Sequence, residues 1–183
     1  MSWLFRRGKS SGPASDGTRP QPAPQPPAAP PEPRVRVAPL SQQRLRAALD
    51  RHDWRYRIDD EGDITGRWDD DLITFMLRGD NGEVLNVLGY MYEDLPMGQL
   101  DEVRYALEEW HRGHLWPTCF WRDNEDAGLT FSVGGAVAVD YEHGVTDDQL
   151  DLHLSCAIST IGSAMADVRN RLGMSNPASD SGN

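Results

Sequence analysis

A chain of 183 residues with a formal net charge of −11 has room for one domain of ordinary size around one core. The charge is unevenly spread: residues 1–39 hold six basic groups against two acidic ones, whereas residues 40–173 hold 12 arginines against 26 Asp and Glu, a net of −14. Such a surface repels phosphate backbones and argues against nucleic acid as a partner, and no apolar run approaches the roughly 18 residues that span a bilayer.

Taken in chain order, residues 1–39 open with Trp3-Leu4-Phe5, too short for a signal sequence ahead of Arg6-Arg7. They continue as a Pro- and Ala-rich stretch with little to bury, which reads as a disordered, semi-extended tether. Its PxxP match, Pro27-Ala28-Ala29-Pro30, is expected by chance in a run so rich in proline. The folded domain is placed at 40–173, and the Ser-, Asn- and Gly-containing tail at 174–183 reads as loose.

Ser41 is a good N-cap, Leu40 and Leu45 stand where a hydrophobic staple would hold them, and Leu45, Ala48 and Leu49 repeat at helical spacing. These predict a first helix over 41–52. Trp54, Tyr56 and Ile58 alternate with Arg55 and Arg57, and the acidic turn 59–62 then leads into a strand from Ile64 to Trp68. Further strands are expected at Leu72–Leu77 and Val84–Tyr92, joined by a turn holding Asn81-Gly82. The result is a four-stranded meander.

Leu100, Val103, Leu107 and Trp110 mark one face of a second helix over 98–113, stopped by Pro117. Two more strands follow at Thr118–Arg122 and Leu129–Val139. Thr146 and Gln149 form a capping-box pattern ahead of a long apolar stripe from Leu150 to Leu172, which predicts a third helix over 146–172. The order α-β-β-β-β-α-β-β-α, with short turns between strands, describes an α+β fold: an antiparallel sheet packed by helices.

Chemistry is notable for what is missing. The single lysine, Lys9, lies in the arm, which removes P-loop, kinase and Schiff-base chemistry from the folded segment. Gly134-Gly135 and Gly162 match no catalytic loop and are read as a strand bulge and a close helix contact. Cys119 and Cys156 fit no metal or redox spacing and are read as two buried thiols, reduced in the cytoplasm. Glu108, His111 and His114 could place three metal ligands on one helix face. A helix end enriched in His and Arg is equally what the helix dipole favours, and no metal or cofactor is assigned. Trp116 and Trp121 stand at a helix-to-strand corner beside His114; core and groove readings both stay open for them.

The string Leu107-Glu108-Glu109-Trp110-His111-Arg112-Gly113-His114-Leu115-Trp116-Pro117, the strand after it, and Gly144-Val145-Thr146-Asp147-Asp148-Gln149-Leu150 opening the last helix resemble bacterial YbjN-domain proteins. The step from Leu49 to Tyr56 and the Trp68-Asp69-Asp70 turn fit as well, so the likeness covers about 41–170. The bias of arginine over lysine is similar to actinobacterial relatives. Where that family's helix reads Asn-Glu-Trp-Asn, this chain has Glu108 and His111 in place of the two amides. The resemblance implies a fold like type III secretion chaperones, a sensory-transduction regulator, no catalytic residues, homodimer formation and capture of an extended polypeptide.

The function expected is a non-enzymatic cytoplasmic module that binds a protein or peptide partner, with Trp110, His111, His114, Trp116 and Trp121 as candidate partner-binding residues. The long third helix is the candidate self-association surface. Two rival readings are a metal-dependent enzyme built on Glu108, His111 and His114, and a membrane-surface adaptor acting through Trp3-Leu4-Phe5-Arg6-Arg7.

Overall fold

The computed structural model describes residues 36–125 and 129–175. The expectations for Trp3–Arg7, Lys9, the 27–30 motif and the end of the tail lie outside those residues.

Helix α1, Gln42–Arg51, begins where its cap predicts: the Ser41 hydroxyl accepts the Arg44 amide at 3.3 Å, and Leu40 and Leu45 are both buried. Strands β1, Tyr56–Ile58, and β2, Ile64–Trp68, pair antiparallel. A two-residue turn then reverses the chain into β3, Asp71–Arg78. Asp69 and Asp70 both take positive φ there, 48° and 65°, the backbone of a hairpin turn whose twist matches its strands. The β3 strand leads through Gly79 and Gly82, also at positive φ, to β4, Val84–Tyr90.

A two-residue strand β5, Leu95–Pro96, and a 3₁₀ turn, Met97–Gln99, precede helix α2, Leu100–Gly113. Strands β6, Thr118–Asp123, and β7, Thr130–Asp140, follow, and helix α3 runs Asp147–Arg171 behind the complete Thr146–Gln149 capping box. The predicted order therefore holds, with β5 and the 3₁₀ turn added.

Spatial order departs from chain order at one place. The long strand β7 inserts between β4 and β6, and β5 pairs with β7 just past the end of β4. The short β1 and the six-residue β6 are left as edges, and the two-residue β5 pairs with β7 alone. All three helices gather on one face. Along α3, Ile161 lies over Gly89 and Met165 over Gly135; α2 packs on α3 and β6, and α1 on α3. That face carries Ile73, Phe75, Leu85, Val87, Phe131, Val133 and Val137, which with the buried helix residues form one core.

Three expectations are corrected. Pairing runs in unbroken register through Gly134 and Gly135 on both sides of β7, so there is no bulge. Instead a Cβ at Gly134 would lie 2.5 Å from Phe120 Cζ, so the glycine makes room for a ring. Gly162 meets nothing within 4 Å, and the close helix–strand contact lies at Gly89, where a Cβ would overlap Ile161. Cys119 is buried but Cys156 is only half-buried.

The core also holds a charged cluster that helical periodicity disguises. Arg169 falls four residues after Met165, on the apolar stripe, and is 2% exposed. Its guanidinium makes a two-pronged pair with Asp71, with Nη1 donating to Oδ2 at 3.0 Å and Nη2 to Oδ1, and it donates to Glu93 from Nε and Nη2. The Tyr92 amide adds a bond to Asp71 at 3.0 Å. The end of α3 is thereby tied to the start of β3 and to the segment after β4.

Candidate functional site

The last turn of α2 and the start of β6 bring the predicted site residues into one corner, but with different roles. Trp110 follows the apolar stripe of α2 into the core and is 8% exposed. Its Nε1 has no hydrogen-bond partner among the described residues. The His114 ring stacks on it at 3.7 Å between centroids, with Nδ1 lying 3.1 Å from the Trp110 carbonyl. Trp116, joined to Pro117 by a cis bond, is half-buried against the core. Trp110 and Trp116 thus pack in or against the core, while His114 is exposed with its ring on Trp110.

His111 and Trp121 are placed differently. Together with Arg104, Tyr105, Leu107 and Glu108 they line a groove of about 480 Å³ between α2 and the β6 edge. Trp121 leans edge-on against Phe131, which fixes its ring, while Tyr105 is 61% exposed. Pattern reading missed Tyr105 because it sits outside the apolar stripe. A large aromatic on the wet side of an amphipathic helix was the available signal.

Backbone parity shows what the edge offers. The Asn124 amide bonds back to the Thr130 carbonyl at 3.1 Å, so alternate residues Asn124, Arg122, Phe120 and Thr118 bond to β7 while Cys119, Trp121 and Asp123 aim their N–H and C=O groups outward. His111 Nε2 accepts the Cys119 amide at 2.8 Å. Among the described residues nothing takes the outward amides of Trp121 and Asp123. Of the three outward amides, that of Cys119 is capped by a side chain, and those of Trp121 and Asp123 have no partner among the described residues.

The same bond weighs on the metal reading. One ring nitrogen of His111 is occupied by a backbone donor, and the His114 ring lies flat on Trp110. Glu108, His111 and His114 do not converge, and no group of three or more His, Cys, Asp or Glu among the described residues is arranged to hold a metal ion. Burial pushes the Cys119 thiol up to about 12, with a smaller contribution from Asp167, so it stays protonated and a poor nucleophile.

The family model described as "putative bacterial sensory transduction regulator", YbjN, matches residues 41–168. The chain belongs to the YbjN family. Its fold is similar to a crystal structure described as YbjN, a putative transcription regulator from E. coli, with a TM-score of 0.61 over 75% of this chain and 96% of that one. At 11% identity that likeness concerns the fold alone. None of the curated proteins matches this chain. In this YbjN-family chain His111 accepts the Cys119 amide. No helix among the described residues is long and apolar enough to cross a membrane.

Proposed function

We propose that this YbjN-family protein is a regulatory module that works by binding an extended segment of a partner protein along the β6 edge, and that it catalyses no reaction. The observation that carries the reading is the pair of free outward amides at Trp121 and Asp123 beside the α2 groove. A strand laid on that edge gains backbone hydrogen bonds, and its alternate side chains meet Tyr105, Leu107 and Trp121. The regulator description of the family supports a role in signalling. The absence of lysine from 40–173 supports a non-catalytic one. The two free thiols favour a reducing cytoplasm.

The test is photo-crosslinking in the native cell from a benzoylphenylalanine placed at Tyr105, exposed in the groove beside the edge, with the same group at Leu152 as control. Crosslinks to one partner peptide from Tyr105, lost on Asp123→Pro because the outward amide is gone, are the expected result. An edge that yields no adduct, or turnover of a small substrate by the purified chain, would overturn the reading.

A further inference from the structure

The sheet face opposite the helices is a second surface, separate from the β6 edge. Its side chains stand in cross-strand rows. One row runs Arg67, Leu72, Tyr90, Gly134, Phe120 across five strands, and the next runs Arg57, Thr65, Thr74, Leu88, Ala136, Thr118 across six. No described helix packs on it, and Leu72, Leu88, Tyr90 and Phe120 are all only partly buried. The rings are nevertheless ordered against one another: Tyr90 meets Phe120 edge-on at 5.5 Å, and Arg122 lies over the Tyr90 ring at 5.6 Å.

This face carries most of the domain's arginines that lack a carboxylate partner, although Asp94 sits on it through Ser132 Oγ and Asp63 through Arg78. Seven of the 12 arginines in 40–173 have a carboxylate within 4 Å: Arg44, Arg51, Arg78, Arg104, Arg112, Arg169 and Arg171. Arg46 bonds instead to the Tyr56 hydroxyl. The remaining four, Arg55, Arg57, Arg67 and Arg122, have no ion-pair partner among the described residues. The first three line one groove at the β1–β2 end, and Arg122 stands at the β6 end. With 26 carboxylates in the segment, unpaired arginines at both ends of an apolar row make a site for negative charge that the chain itself does not fill.

We propose that this face docks an acidic amphipathic helix of another protein. The backbone groups of the inner strands are spent on their neighbours, so an occupant of the face must satisfy its own backbone, which a helix does and a lone strand does not. Four inter-strand steps of ~4.8 Å separate β2 from β6, so carboxylates about 19 Å apart reach both arginine groups. A helix of about 13 residues spans that distance. Duplex nucleic acid and anionic membrane fit less well, since both extend past the face into the field of a net −14 domain.

The experiment uses the full chain and a fluorescein-labelled, hydrocarbon-stapled peptide of about 13 residues, with Leu and Phe on one face and Glu in its first and last turns. A matching peptide carries Lys in place of Glu. Fluorescence anisotropy is expected to show saturable binding of the Glu peptide, about tenfold tighter than the Lys peptide, and loss of about that preference in Arg67→Glu/Arg122→Glu, because exposed ion pairs are individually weak. The milder Arg67→Gln/Arg122→Gln pair, with circular dichroism on both, separates lost charge from lost fold. No binding, equal binding of the two peptides, or binding unchanged in both variants would overturn the proposal. So would preferential binding of a DNA duplex or phosphatidylserine vesicles over the Glu peptide. The β6-edge reading does not stand or fall with it.

Discussion

The guanidinium of Arg169 and the carboxylate of Asp71, 98 residues apart in the chain, meet face to face at 2% and 3% exposure. Removing Arg169 strands the Asp71 carboxylate where water cannot reach it, whereas removing Asp71 leaves Arg169 paired with Glu93. Arg169→Met is expected to cost about 3–5 kcal/mol, read as a lower urea midpoint. The double change Arg169→Met/Asp71→Leu is expected to recover part of that loss, because the more deeply buried of the two orphaned carboxylates goes as well, leaving the partly exposed Glu93. A single change within about 1 kcal/mol of wild type would show that the cluster is not desolvated as described.

Glu93 gives the cluster a pH dependence. Burial, the largest single influence, pushes its carboxyl up, but the Arg169 hydrogen bonds, a backbone hydrogen bond and the Arg169 charge together outweigh it and hold the group below the ordinary 4.5. A carboxylate with a depressed folded value adds stability above its unfolded value and loses it as pH falls through the folded one. The urea midpoint is therefore expected to fall on acidification between about pH 5 and pH 2. In Glu93→Gln that acid limb should be shallower; an unchanged limb would assign the loss to other carboxylates.

The two cysteines should differ in reactivity. Cys119 is buried with its thiol pushed up to about 12, whereas Cys156 is half-buried on α3. Iodoacetamide at mildly alkaline pH is expected to alkylate Cys156 first in the native protein, and Cys119 only after denaturation. Peptide mass mapping over a time course reads the order directly.

Two glycines should respond in opposite senses to the same change. Gly89→Ala drives a methyl into Ile161 at the strand–helix contact and is expected to cost about 1–3 kcal/mol as overpacking. Gly162→Ala meets nothing within 4 Å and lies inside α3, so it is expected to add about 0.5–1 kcal/mol through reduced backbone entropy of the unfolded chain. Thermal melts of the two variants should move in opposite directions.

The corner at the end of α2 shows how far pattern reading reaches. The apolar repeat of Leu100, Val103, Leu107 and Trp110 places the helix and its buried side correctly, yet it cannot separate Trp110, which enters the core, from Trp121, which lines a groove. Both are large aromatics at element ends, and their fates depend on what packs over them. The spacing of His111 to His114 admits a metal-ligand reading beside the partner-binding one and does not reveal that its ring accepts a backbone amide from the next strand.

Sequence by itself determined the elements, their order and their caps, since periodicity, capping residues and turn chemistry act over a few neighbours and need no partner to be legible. Tertiary structure alone decided that β7 runs between β4 and β6, that β6 is an edge, that Arg169 is buried against Asp71, and that four arginines share the bare face of the sheet. Each of these joins residues far apart in the chain, and local pattern carries no information about which distant strand or charge will be brought alongside.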